Sequence, residues 1–205
     1  NTLTKQASQF FERTKDYFCS PDSVLSQWHD IGVQGICDFA VKSKTDKEIE
    51  NAYCNVLDKL PAEVLMPLSI ALENISLSPE ALSTLIKLFA QAKPELQPYI
   101  LRSLASSSSH PYVKAFVTEL LTEASLSDDI VITIAGRCWQ SLADATTMTQ
   151  FLEQLAQKEN LALFQTIFKD LVAIPTLRQI IFACMRSTER SPELAKAIGS
   201  LFNAQ

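Results

Sequence analysis

The chain has 205 residues, 47% of them hydrophobic and 20% charged, and a formal net charge of −5. That balance excludes a disordered tail and leaves an ordered chain long enough for one sizeable core. Only four glycines occur, so few positions reach positive φ cheaply and a hairpin-rich β fold is disfavoured. An acidic chain also repels a phosphate backbone at long range, which counts against a dedicated nucleic-acid binder.

Leu3, Ala7, Phe10, Phe11, Thr14 and Phe18 share one helical stripe, so the spacing predicts a first helix over about 3–18. Cys19-Ser20-Pro21-Asp22 stops it, and a short helix to about residue 27 is expected before Trp28. The next segment carries Ile31, Ile36, Phe39 and Ala40. Thr45 with Glu48 has capping-box spacing ahead of the stripe Ile49, Ala52, Tyr53 and Val56. Pro61 opens a helix with Val64, Leu65, Leu68, Leu72 and Ile75, and Ser78-Pro79-Glu80 starts its partner with Leu82, Leu85, Ile86 and Phe89.

Pro94 opens the following helix with Leu96, Ile100, Leu101 and Leu104. The run Ser106 to Ser109 reads as a solvated turn, and His110-Pro111 restarts the chain with Val113, Phe116, Val117 and Leu120 inward. Ser127, Asp144 and Asn160 are expected N-caps. Asp128 and Asp129 suit the positive end of a helix dipole. Pro175 separates the last pair, and Ser191-Pro192-Glu193 repeats the earlier cap before Leu194, Ile198, Leu201 and Phe202.

These elements recur. Cuts at Trp28, Pro61, Pro94, Ser127, Asn160 and Glu193 give blocks of 33 residues. Leu68, Leu101, Ile134 and Ile167 keep that spacing, while Leu82, Val113, Met148 and Ile181 drift by two residues and recover. A helical hairpin of this length buries its stripe only by stacking on a neighbour. The expected fold is all-α, an α-α superhelix of about five helical hairpins with a repeat of about 33 residues. It forms a single domain over 1–205, with capping helices at 1–27, repeats at 28–192 and a C-terminal helix at 193–205. A compact helical bundle is the rival reading.

The Pro61 and Pro94 starts, the Leu68/Leu101/Ile134/Ile167 series and the Ser78-Pro79 restart resemble short HEAT-like or armadillo-like α-solenoids over roughly 28–205. The tryptophan and glycine-tyrosine pattern of a tetratricopeptide array is absent. The chain also looks like an uncharacterised bacterial helical family, a likeness that rests on no motif and implies no function. In solenoids of the HEAT type the second helices often line the concave side, which implies a docking surface there. Lys87, Thr118, Glu153 and Arg186 lie two positions past the stripe residues Leu85, Phe116, Phe151 and Cys184, and Gln91, Thr122, Gln157 and Arg190 lie four further on. These eight residues are the expected partner-binding strip.

Other candidates are weaker. His29 and Cys37 share a helix face if one helix spans both, but eight residues is about 12 Å, too far for a nucleophile and its base. His110 precedes Pro111 and suits a cap. Asp128 and Asp129 are adjacent and diverge, so helix-start electrostatics outweighs a cation site; Asp30 and Asp38 join a site only through folding. Gly32-Val33-Gln34-Gly35 lacks the strand and spacing of a dinucleotide loop and fits a close helix crossing or a small bend. Trp139 is expected in the core, Trp28 at a junction. The five cysteines are odd in number with no C-x-x-C pair, which fits thiols in a reducing cytoplasm, Cys19 being the exposed one.

No apolar run reaches the ~20 residues of a membrane helix. No leader is read at the start, where Asn1 stands in place of Met and an upstream segment stays open. The expectation is a non-enzymatic scaffold or adaptor that binds a protein and needs no cofactor or metal. The alternatives are a nucleic-acid-binding helical-repeat protein, using Arg178, Arg186, Arg190 and Lys196, and an enzyme whose site is assembled from distant residues.

Overall fold

The structure, a computed structural model, describes residues 2–20, 25 and 27–203. Among these residues every regular element is helical and no strand occurs. The expected short helix at 21–27 falls largely outside the described residues. Twelve α-helices follow in order: α1 (Thr2–Phe18), α2 (Val33–Ser43), α3 (Lys47–Cys54), α4 (Ala62–Leu72), α5 (Pro79–Gln91) and α6 (Gln97–Ser103), then α7 (Pro111–Leu120), α8 (Asp128–Arg137), α9 (Ala145–Ala156), α10 (Leu161–Ala173), α11 (Pro175–Arg186) and α12 (Pro192–Asn203). The chain divides into two compact units, Asn1–Ser107 and Ser108–Gln205.

Local chemistry sets most helix starts. Ser78, Ser127, Asp144 and Asn160 each accept a main-chain N–H from the first turn of the helix they precede, at 3.2, 3.3, 2.9 and 3.1 Å. His110 does the same for α7, its Nδ1 accepting the Tyr112 N–H at 3.2 Å. These bonds satisfy donors that a helix leaves orphaned at its first turn. Two starts differ from expectation. Asp46, not Thr45, caps α3, because Asp46 has the extended backbone and accepts the Glu48 N–H at 3.0 Å. Pro94 lies in a turn closed by Leu96 N–H on Lys93 O at 2.9 Å, so α6 begins three residues later.

In the first unit α1 packs on α2, α2 on α4 and α4 on α6, while α3 packs on α5. The α1–α2 crossing is close at Gly35. A Cβ there would stand 2.7 Å from the Phe10 carbonyl oxygen and closer still to Thr14 Oγ1. Thr14 is fully buried and donates its hydroxyl to Phe10 O at 2.9 Å, which removes a polar group from the contact. Beside it the rings of Phe18 and Phe39 stack with centroids 4.4 Å apart. Leu68 on α4 and Leu101 on α6, two helices in contact, are both fully buried.

The turns of this unit are held by polar side chains. Glu50 on α3 is buried; its carboxylate accepts Lys47 Nζ at 2.7 Å and the Ser78 N–H, at the start of α5, at 3.3 Å. Glu73 pairs with Arg102, and Ser107 Oγ accepts the Leu77 N–H at 3.2 Å. The serine run is thus only half solvated: Ser106 and Ser109 are exposed, Ser107 is buried, and Ser108, the first residue of the second unit, is buried and donates to Gln140 Oε1 at 3.1 Å. Main-chain groups under packed helices need partners, and a hydroxyl is the smallest side chain that supplies one.

In the second unit α7 packs on α9 and α9 on α11, while α8 packs on α10 and α10 on α12. Ile134 and Ile167 are buried on α8 and α10, and Val113, Met148 and Ile181 are fully buried on α7, α9 and α11. Arg137 ends α8, and Trp139–Leu142 forms a 3-10 turn in place of a continued helix. Trp139 is consequently half-buried and not a core residue. No described helix is long and apolar enough to cross a membrane.

Two predictions follow from the first unit's contacts. Gly35→Ala overpacks the α1–α2 crossing and lowers stability by ~1–3 kcal/mol; a thermal melt is expected to fall by ~2–4 °C per kcal/mol. The second concerns acid. Burial alone would raise the Glu50 carboxyl, but hydrogen bonds from Lys47 and Ser78 outweigh it and hold the group below its ordinary 4.5. Its stabilisation is present above the unfolded value and is lost as pH falls through the lower folded one. Glu50→Gln is expected to lower the melting temperature at neutral pH and to flatten its decline below 4.5 in melts taken across that range.

Candidate functional site

The polar face of α9 builds one wall of the site. Met148, Phe151, Leu152 and Leu155 are fully buried, which turns Thr149, Gln150, Glu153 and Gln157 to the opposite side at helical spacing. That side lines a cleft of about 450 Å³ with Leu121, Thr122, Glu123 and Ala124, the segment that follows α7. Gln154 holds the segment in place, its Nε2 donating to Leu121 O at 3.1 Å and Glu123 O at 2.5 Å. Lys158 continues the row, donating to Leu126 O and lying 3.5 Å from Asp128. The amide oxygens of Gln150 and Gln154 are buried without a hydrogen-bond partner.

Glu153 also faces the start of α12. Its carboxylate accepts the Ser191 N–H at 3.0 Å and the Ser191 hydroxyl, while Ser191 Oγ accepts the Leu194 N–H at 3.0 Å. The cap residue of α12 is thus held by a carboxylate from α9, and negative charge at a helix N-terminus is favourable.

A second concavity lies between α11 and α12. Phe182, Met185, Ile198 and Phe202 line a groove of about 420 Å³ with Arg186 and Arg190. Phe182 is 39% exposed and Phe202 69%. Phe202 is thus not part of the buried stripe expected for the last helix. Arg190 is half-buried and donates to Met185 O. Arg186 is exposed.

Of the eight residues expected on a partner strip, Lys87 and Gln91 are exposed on α5 in the first unit. In the second unit Thr122, Glu153 and Gln157 line the α9 cleft and Arg186 and Arg190 line the α11–α12 groove. Thr118 is half-buried and its hydroxyl is used internally, donating to Lys114 O at 2.9 Å and lying 3.1 Å from Thr147 Oγ1. Phe182 is not among the expected strip residues; its position off the buried Leu177, Ile181 and Cys184 stripe is the signal of its exposure.

The remaining candidates separate. His29 sits in a 3-10 turn, Trp28–Asp30, and Ile31 and Gly32 are extended before α2 begins at Val33. His29 and Cys37 therefore share no helix face. His29 lies instead against the half-buried Trp28, ring centroids 4.0 Å apart. Cys19 is exposed. The half-buried thiol of Cys54 is pushed up to about 12 by burial and by the neighbouring Glu50 carboxylate, which keeps it protonated and unreactive. Asp128 and Asp129 occupy the first turn of α8 behind the Ser127 cap. Among the described residues no group of three or more His, Cys, Asp or Glu is placed to hold a metal ion.

Glu153→Ala leaves the Ser191 donors without their acceptor, at a cost of ~1–3 kcal/mol. Urea unfolding is expected to show that loss, with Glu153→Gln intermediate because an amide oxygen still accepts one bond.

Comparison with curated proteins and with solved structures gives no match. A family model does match, over residues 1–202. The chain belongs to the family described as "Protein of unknown function (DUF3549)".

Proposed function

We propose that this chain is a helical-repeat docking protein: an α-α superhelix of stacked hairpins of about 33 residues whose second helices receive a protein partner, with no catalytic role of its own. The hydrogen bonds between turns support the repeat. Ser78 to Glu50, Leu77 to Ser107, Gln154 to Leu121 and Gln165 to Ser200 join residues 28, 30, 33 and 35 positions apart. Contacts of alternate helices, α2 with α4, α4 with α6, α7 with α9 and α9 with α11, support it in the same way. Work in a reducing cytoplasm fits five cysteines with no disulfide among them.

The observation that carries the docking role is the groove on α11 and α12. Exposed phenyl surface is unfavourable in water, and where it borders a concavity rimmed by charge it marks an interaction site. The same observation favours a protein over a nucleic acid. Arg178 is tied to the carbonyl oxygen of Val172, which draws one of the four basic side chains away from a phosphate array.

The test is affinity capture from the native host with mass spectrometry, comparing the tagged wild-type chain with Lys87→Glu and Arg186→Glu. Both residues are exposed, so the fold is expected to survive. Loss of a co-purifying protein by about tenfold or more in either variant supports the reading. An unchanged partner set overturns it, as does salt-dependent binding to a generic duplex in place of protein capture.

A further inference from the structure

We propose that the α11–α12 groove takes an acidic amphipathic helix from a partner protein, its apolar anchors seated against Phe182 and Phe202 and its carboxylates on Arg186 and Arg190. This deepens the docking reading above and rests on it.

The apolar part has the dimensions of a recognition site. The groove holds about 420 Å³, within the ~300–1,000 Å³ typical of ligand clefts. Phe182 with Arg186 on α11, and Ile198 with Phe202 on α12, are i, i+4 pairs, so each helix presents its contact residues on one stripe. A helix laid between them meets this pattern with its own i, i+3, i+4 anchors.

Charge selects the occupant. The groove is lined by two arginines and no acid. Arg190 is fixed by its bond to Met185 O, and its buried Nε has no hydrogen-bond partner. Arg186 makes no ion pair among the described residues and projects to solvent. A guanidinium offers five donors in a fixed fork that suits a carboxylate. The setting sharpens the choice. Within the second unit, residues 160–205 carry five basic and three acidic side chains, whereas residues 108–159 carry three and seven. An acidic segment is attracted to the groove's own arginines, and a basic segment meets the reverse.

The experiment is fluorescence anisotropy with the whole chain and three short labelled peptides. All three share one Leu/Phe helical stripe; the other positions are Glu-rich, Gln-rich or Lys-rich. The Glu-rich peptide is expected to bind about tenfold tighter than the other two at low salt, with the gap closing at high salt. Arg186→Glu is expected to invert the order of the Glu-rich and Lys-rich peptides. Phe202→Ser is expected to weaken binding about tenfold whatever the charge. Both side chains are exposed, and unchanged melting curves establish that the variants are folded.

Equal binding of the three peptides, or an order that Arg186→Glu leaves alone, overturns the proposal. So does a concentration-dependent dimer that Phe202→Ser abolishes and the Glu-rich peptide does not displace, which would give the groove to a second copy of the chain. Failure here is separable from failure of the docking role. A partner captured by the wild type and lost with Lys87→Glu, on α5 of the other unit, upholds docking even where no peptide binds.

Discussion

A glutamate from one helix gripping the first residue of another is the contact on which the connections depend. Glu50 on α3 accepts the Ser78 N–H, and Glu153 on α9 accepts the N–H and hydroxyl of Ser191. Both targets are the serine of a Ser-Pro-Glu start, and both bonds bring a carboxylate to the positive end of a helix. The physical demand behind them is general. Short turns place peptide groups beneath neighbouring helices, where water does not satisfy them, and each group left unpaired costs more than a made bond returns. Gln154, Ser107 and Ser106 answer the same demand elsewhere, through Leu121 and Glu123, Leu77, and Ile75.

This use of polar side chains changes what an α9 surface means. A row of Gln, Glu, Gln and Lys on an amphipathic helix reads as a solvated face, and part of it is. Gln154, however, is nearly as buried as the leucines beside it, and Lys158 reaches a main-chain carbonyl. The row works as a set of struts that fix residues 121–126. What stays open to solvent is the edge of the cleft at Thr122 and Gln157, and the α11–α12 groove, where guanidinium and phenyl groups meet the solvent together.

Much of the fold was legible because its signals are local. An N-cap needs one polar side chain and three following residues, and Ser78, Ser127, Asp144 and Asn160 are each in use. A stripe at period 3.6 needs only one helix, so Leu68, Leu101, Ile134 and Ile167 were identifiable before any contact was known. Gly35 also announced itself, since a glycine among apolar residues of a helix costs stability unless something approaches closely. The illegible features depend on residues far apart in sequence. Nothing near Glu153 indicates Ser191, and nothing in the serine run indicates that Leu77 and Gln140 will bury it. The 3-10 turn at Trp139 is hidden because Cys138 and Leu142 continue an apolar stripe that a longer α8 would also use, whereas Trp28 does lie at the junction expected for it. Surface positions were legible in part: Glu153 and Arg186 fall off the buried stripes of α9 and α11 by spacing, while Phe182 lies off the pattern and Phe202 falls on a stripe that reads as core.

The reach of the tertiary hydrogen bonds has a consequence for how such a chain orders itself. Ser78 to Glu50, Gln154 to Leu121 and Gln165 to Ser200 join residues 28, 33 and 35 positions apart. Loop-closure entropy depends on the length of the loop and not on the length of the chain around it. Each of these contacts therefore carries its own modest ordering cost, independent of how many residues lie beyond the two it joins.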